Sequence, residues 1–297
     1  MPSVSIIIPA YNPGRYLAQA IDSVIAQTFT DWEMVVVDDG STEDISWVRD
    51  KHPSIRLIQQ ENRGLSIARN VAILASTGEF IAFLDADDLW EPDKLAKQVA
   101  VMDSCPRVGL CHTLTQYVDA AGHRLDVYFD KATDSYYDLL KICSVVISSS
   151  IIRRECLAVA SLFDPMYIHV QDYDMWLKIA KYYDLNTIMS VETLYRVHGN
   201  NMSKDYSMVH SEVSSLLRRH LGQAYKSKDQ VAIELLKKGL YESRVGSGCK
   251  AFGSGIASLK EKDIFSCINH FAHALRLAPK YTLKTVISFP YRRSYIR

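Results

Sequence analysis

The chain has 297 residues, 48% of them apolar and 23% charged, the balance of a soluble globular protein with room for one large domain and a small appendage. Its 34 lysines and arginines offset 34 aspartates and glutamates, which argues against a protein that grips nucleic acid through bulk positive charge. No apolar run approaches the ~20 residues that span a bilayer, and the opening residues read as a strand, not a secretion signal.

The first third alternates strand and helix. Val4–Pro9 (VSIIIP) is a branched apolar run suited to a strand buried on both faces. After a turn at Asn12–Gly14, Tyr16–Gln27 places Leu17, Ala20, Ile21, Val24 and Ile25 at helical spacing. Glu33–Val37 reads as a second strand, and Ser41–Asp44 (STED) as a capping box that starts a helix. Ile55–Ile58 is a third strand, Leu65–Ser76 a helix stopped by Gly78, and Phe80–Leu84 a fourth strand. Alternation at this pace predicts parallel pairing and a doubly wound α/β sheet.

Beyond Asp93 the pattern is mixed. Helices are expected at Lys94–Met102, Asp134–Ile142 and Asp172–Tyr182, strands at Val108–Thr115 and Val145–Ile152, and a turn at Asp119–His123. From about residue 205 the chain reads as helices only, at Val209–Lys226, Val231–Leu240 and Asp263–Leu277. Two regions are therefore expected, 1–205 and a small helical extension, 206–297. The six cysteines are scattered, without a C-x-x-C pair. They read as buried free thiols in a reducing compartment, not as a zinc site.

In open parallel sheets, ligands bind beyond the carboxyl ends of the strands. Here those ends read PAYN (Pro9–Asn12), DDGS (Asp38–Ser41), ENRG (Glu61–Gly64) and DADD (Asp85–Asp88). Each has a plain alternative: Asp39 and Ser41 suit a turn and a cap, and Asp87 and Asp88 suit a cap near Pro92. In extended backbone, however, Asp85 and Asp87 point the same way and can share one ligand. Carboxylates crowded at one crevice call for a cation. Mg²⁺ or Mn²⁺ suits such oxygens, with substrate phosphates and water completing the shell. Neither G-x-G-x-x-G after the first strand nor a P-loop is present, which weakens dinucleotide and P-loop readings.

The ordered set Pro9–Asn12 (PAYN), Val37–Thr42 (VDDGST), Asn62–Asn70 (NRGLSIARN) and Leu84–Trp90 (LDADDLW) resembles the nucleotide-sugar half of family 2 glycosyltransferases, which adopt the GT-A fold. Gln171–Leu177 (QDYDMWL) resembles the segment carrying that family's catalytic base, and Tyr195–Ser203 (YRVHGNNMS) its closing loop. The likeness covers about residues 3–205. It implies a nucleoside pocket lined by Pro9, Tyr11 and Asp39, with Asn12, Asn62, Gly64 and Ala86 as further donor-binding positions. Arg69 would lie near the base or phosphates, Asp85 would face the ribose and sugar, and Asp87 would hold the metal. Asp172 would be the catalytic base, His198 would approach the metal or diphosphate, and Arg196 would support the leaving group. The reaction implied is inverting transfer from a nucleotide sugar, most plausibly UDP-linked, to a glycan or lipid-linked acceptor in surface polysaccharide assembly. The cofactor implied is Mn²⁺ or Mg²⁺.

The family usually has Glu where this chain has Gln171. That departure alone favours a rival reading, a catalytically idle nucleotide-sugar sensor acting through its helical tail. A nucleotidyltransferase, the other rival, needs a lysine in the first loop, and Pro9–Gly14 has none. Asp174 competes with Asp172, but the two lie about 200° apart on a helix, so only one faces the pocket; Asp172 is equally suited to an N-cap. Trp90 and Trp176 suit either sugar stacking or the core. His112, His270 and His273 read as structural or surface groups, while His169 could touch the acceptor. The basic, aromatic tail (Arg276, Lys280, Lys284, Arg292, Arg293 and Arg297, without an acid) suits anionic lipid at the inner face of the cell membrane. A packing or homodimer helix is the alternative. A cytoplasmic location is expected.

Overall fold

In the computed structural model the chain divides into two compact units, Met1–Asn201 and Met202–Arg297. The structure describes residues 1–141, 143–199, 201, 206–260, 269, 270, 272, 274 and 276–278. The larger unit runs β1 (Val4–Ala10), α1 (Tyr16–Ile25), β2 (Trp32–Asp39), α2 (Trp47–Lys51), β3 (Arg56–Gln60), α3 (Leu65–Leu74), β4 (Phe80–Phe83), β5 (Leu89–Trp90), α4 (Lys94–Ser104), β6 (Val108–Val118), β7 (Arg124–Phe129), α5 (Tyr136–Lys141), β8 (Ser150–Arg153), α6 (Leu157–Ala160), α7 (Gln171–Ile179) and β9 (Asp184–Arg196).

The nine strands form one sheet in the order β3-β2-β1-β4-β8-β6-β9-β5, with β7 on β6. β3, β2, β1 and β4 are parallel, as the strand–helix alternation predicts. Beyond β4 the sheet is mixed: β8 runs antiparallel to β4 and β6, and β9 parallel to β6. Every residue of β1 is buried. Val4, Ile6 and Ile8 pack with Leu17, Ala20, Ile21 and Val24 of α1. Ile7, Val35 and Val37, pointing the other way as strand alternation requires, are equally buried on the side where α3 lies. After β1 the chain moves outward to β2 and β3, then returns to β4 on β1's other side. The reversal opens a crevice at the carboxyl ends of β1 and β4.

Several expectations need correction. Residues 41–44 cap no helix: α2 begins at Trp47. The polar groups instead stitch two loops together, with Asn12 N donating to Ser41 Oγ (2.9 Å) and Gly14 N to Glu43 Oε1 (2.6 Å). Val145–Ile152 is not one strand, because a 3-10 turn at Ile147–Ser149 precedes β8. The 13-residue β9 and the short β5 were not foreseen; their residues alternate imperfectly, and β9 takes its form from pairing with β6 across several register shifts.

The smaller unit holds α8 (Tyr206–Ser227) and α9 (Gln230–Lys260). α9 runs well past Leu240 despite glycines that each cost about 1 kcal/mol in a helix. Leu216 and Leu217 of α8 and Ile233 and Leu236 of α9 are buried, and the two helices pack on each other, which outweighs local propensity. The helix expected at Asp263–Leu277 is described only in part, and the basic tail from Lys280 lies outside the described residues, as do Cys267 and His273. Cys105, Cys111, Cys143 and Cys156 are free thiols. Among the described residues no helix is long and apolar enough to cross a membrane.

Candidate active site

The predicted residues gather along the carboxyl edge of the sheet in two groups. The first surrounds the ends of β1, β2 and β3. Pro9 is buried, while Tyr11 is 54% exposed. Asn12, at φ 45°, turns its amide to accept Thr42 N (2.8 Å) and Thr42 Oγ1 (3.0 Å). Asp39 is buried and accepts Gln60 Nε2 (2.6 Å), Arg63 N (2.9 Å) and Gly64 N (2.9 Å). Its immediate work is therefore to fold the Asn62–Gly64 loop that leads into α3. Gly40, at φ +78°, lies so close to that loop that a Cβ would sit 2.6 Å from Asn62 N. This explains the glycine in VDDGST.

The second group surrounds Asp85–Asp88. Asp88 N bonds to Asp85 O (3.1 Å), so this segment is a turn and not extended backbone. The three carboxylates consequently part ways. Asp85, 27% exposed, pairs with Arg69 Nη2 at 2.5 Å. Asp87, 30% exposed, meets His198 Nε2 at 2.8 Å. Asp88 is fully buried, accepting Ser148 Oγ (2.6 Å) and Arg196 N (2.9 Å). Burial and then the charge of Asp85 push the Asp87 carboxyl up, partly opposed by His198. Burial, followed by the charges of Asp87 and Asp85, pushes Asp88 well above the usual range. Ala86, between them, is partly exposed.

The other walls come from α1, β9, α3 and α7. His198 stacks on Tyr16 with ring centroids 5.1 Å apart. Arg196 is fully buried: Nε donates to Asp87 O (2.7 Å) and Nη2 to Gln19 Oε1 (2.7 Å), and its guanidinium lies 4.7 Å from the Tyr16 ring centre. It clamps β9 to the acid turn from a fully buried position. On α3, Ser66, Arg69 and Asn70 share a face. Ser66 Oγ donates to Tyr167 O (3.1 Å) and Asn70 Nδ2 to Phe163 O (2.8 Å), fastening the segment that leads into α7. Arg69 is only 1% exposed, with its guanidinium 5.6 Å from the Phe163 ring centre.

Asp172 opens α7 and accepts Tyr173 N at 2.7 Å. Among the described residues it has no side-chain ion pair, whereas its competitor Asp174 is buried against Lys178 Nζ at 2.7 Å. Burial raises the Asp172 carboxyl to about 6, with the Arg69 charge pulling it down and Asp85 pushing it up. Trp90 is core, its Nε1 on Ser148 O (2.6 Å), and Trp176 is core against Phe83. His112 is buried, its Nε2 2.9 Å from Thr187 Oγ1.

Sequence reasoning missed Asp88, Ser148, Tyr16 and Gln19. Asp88 stood inside a quoted motif; the others carry no signal until the fold brings them together. Asp87 and His198 supply a hard oxygen and an imidazole nitrogen, a donor pair that suits Mn²⁺ or Mg²⁺. Asp85 and Asp88 are held by Arg69, Ser148 and Arg196, and among the described residues no group of three or more such side chains could hold an ion alone. The residues fit a cation whose remaining ligands come from substrate and water.

A family model described as glycosyl transferase family 2 matches residues 5–157. An uncharacterized glycosyltransferase of Nostoc sp. is 31% identical, over 83% of this chain and 78% of that protein. The Escherichia coli UDP-Glc:alpha-D-GlcNAc-diphosphoundecaprenol beta-1,3-glucosyltransferase WfaP is 32% identical, over 68% of this chain and 80% of its own. Among solved structures, S. aureus TarS 1–349 in complex with UDP-GlcNAc superposes with TM-score 0.64 at 16% identity, covering 91% of this chain and 90% of that one. The mannosyltransferase PcManGT from Pyrobaculum calidifontis, in complex with GDP-Man and Mn²⁺, gives TM-score 0.61 at 19% identity, covering 99% and 81%.

Proposed function

Since this chain belongs to glycosyltransferase family 2 and has the GT-A fold, we propose that it transfers a sugar, with inversion, from a UDP-linked donor to a glycolipid acceptor in surface polysaccharide assembly. WfaP, by its name, uses UDP-Glc and a GlcNAc-diphosphoundecaprenol, and the TarS complex holds UDP-GlcNAc. Both support a UDP sugar here, and the first supports a polyprenyl-diphosphate acceptor.

One observation carries the reading: at the crevice edge stands a carboxylate, Asp172, with no cation bound to it, beside a neighbour, Asp174, already neutralised by Lys178. An acceptor hydroxyl attacks poorly until its proton is removed during attack. Asp172, ionised above pH 6, takes that proton as the acceptor oxygen bonds to the anomeric carbon. The bond to the diphosphate breaks on the opposite face, which inverts the configuration. Tyr11 and Asn12 flank the nucleoside, and Asp39 shapes the loop beside it. Asp85 faces the ribose and sugar, while Asp87 and His198 hold Mn²⁺ or Mg²⁺. When bound, that ion supplies positive charge to offset the charge growing on the leaving diphosphate. The basic tail rests on anionic lipid at the cytoplasmic membrane face.

A thermal-stabilisation screen of nucleotide sugars identifies the donor. With that donor, Asp172→Asn abolishes transfer and leaves donor affinity within about twofold. Undiminished transfer by this variant would overturn the proposal.

A further inference from the structure

We infer that Asp88 is a positioning residue for the two protein ligands of the cation: seated by Ser148, it ties the turn that carries Asp87 to the strand end that leads to His198. The inference rests on the reading of Asp87 and His198 as those ligands.

Asp87 follows β4 and His198 follows β9, 111 residues apart, yet their side chains meet at 2.8 Å. Backbone pairing brings the two segments together and then stops short. β5 and β9 run antiparallel, with Trp90 opposite Thr193 and Leu89 opposite Leu194, where the ladder ends. Carried two places further, that register sets Asp87 opposite Arg196. There side chains take over from the ladder. Asp88 Oδ1 accepts Arg196 N at 2.9 Å, and Arg196 Nε donates back to Asp87 O at 2.7 Å. The residue beside Asp87, and the carbonyl of Asp87 itself, are thus fixed to a residue two places before His198. Arg196 also lies 4.7 Å from the Tyr16 ring centre, and Tyr16 stacks on His198, so a shift of Arg196 reaches the imidazole by a second route.

The other oxygen of Asp88 sets where this tie is anchored. Oδ2 accepts Ser148 Oγ at 2.6 Å, and Ser148 Oγ accepts Asp85 N at 3.1 Å. Ser148 is fully buried in the 3-10 turn before β8, its carbonyl accepting Trp90 Nε1 at 2.6 Å. Three separate stretches of chain therefore meet at one carboxylate that is 1% exposed. Each of its oxygens has a donor of the protein, as a buried acid requires. An asparagine can serve both contacts, its oxygen accepting Arg196 N and its Nδ2 donating to Ser148 Oγ; an alanine serves neither.

The test uses the full chain and two readouts. UDP affinity is measured by calorimetry with Mn²⁺ and with a chelator, and the ratio of the two is the gain the ion supplies. Asp88→Ala lowers that gain about tenfold, the lower end of what losing a group behind a metal ligand costs, and leaves the chelated affinity where it was. Asp88→Asn keeps the larger part of the gain. In the metal-free protein, amide hydrogen exchange over residues 194–199 is faster in Asp88→Ala than in wild type and is not faster in Asp88→Asn. If Asp88→Ala does not fold, Ser148→Ala is read in its place; it releases one oxygen of Asp88 and lowers the gain by less. An undiminished gain in the alanine variant that is read overturns the inference, as does unchanged exchange in Asp88→Ala. So does an equal loss in Asp88→Asn and Asp88→Ala, the mark of charge acting on the ion without the tie to Arg196. Asp87→Ala with an undiminished gain would instead overturn the cation reading, so the two failures are distinguishable.

Discussion

Asp172 should make this protein slower and more stable as the pH falls, and an asparagine there should separate the two effects. Burial lifts its carboxyl from the ordinary 3.8 to about 6. A base titrating there is about nine-tenths ionised at pH 7 and about one-tenth at pH 5, so kcat should fall roughly tenfold between those values. A solvated carboxylate would leave the rate flat over the same range. The stability effect has the opposite direction. The folded state favours the protonated form, so the contribution of this group is full below the unfolded value near 3.8 and is lost as pH rises through about 6. A difference of about two pH units corresponds to ~3 kcal/mol. Asp172→Asn, neutral at every pH, should therefore melt higher than wild type at pH 7.5, by up to ~3 kcal/mol, and no higher near pH 4. Initial rates of nucleoside diphosphate release at saturating acceptor read the first effect, and thermal melts at the two pH values read the second. A rate flat to pH 4.5, or an asparagine variant less stable than wild type at pH 7.5, would refute the buried-base argument.

Three further outcomes follow from the same geometry. Asp87→Ala should weaken UDP binding in the presence of Mn²⁺ by about tenfold or more, while leaving metal-free UDP binding unchanged; equal calorimetric affinities would count against the cation site. Gly40→Ala forces a side chain into a φ of +78° and against Asn62 N, and should cost about 1–3 kcal/mol, read as a lower melting temperature. Gln171→Glu restores the residue usual in the family at a buried position next to Asp172; because adjacent carboxylates resist ionising together, the acid limb of kcat should move to higher pH, and an unmoved limb would show that position 171 lies outside the field of the base.

Much of this was written in local pattern. Branched runs such as Val4–Pro9 and helices with apolar faces such as Tyr16–Ile25 report their own burial, because side-chain period follows backbone geometry. Short polar clusters at strand ends point to the crevice, because parallel strands end their C-termini on one edge. What such pattern omits is which partner each polar group finds. Asp85 and Asp87 look like a matched pair in sequence, yet a turn sends one to Arg69 and the other to His198, 111 residues away. The STED run looks like a helix cap, yet Ser41 and Glu43 serve the loop after β1.

Chain order alone therefore determined the doubly wound half of the sheet and the acids that gather at the carboxyl edge of its strands. Tertiary structure decided which of those acids is left with an open carboxylate. Local preferences act over a turn or two of backbone, whereas the ionisation of Asp172 depends on the burial of its surroundings and on Arg69, a charge carried in by a separate helix.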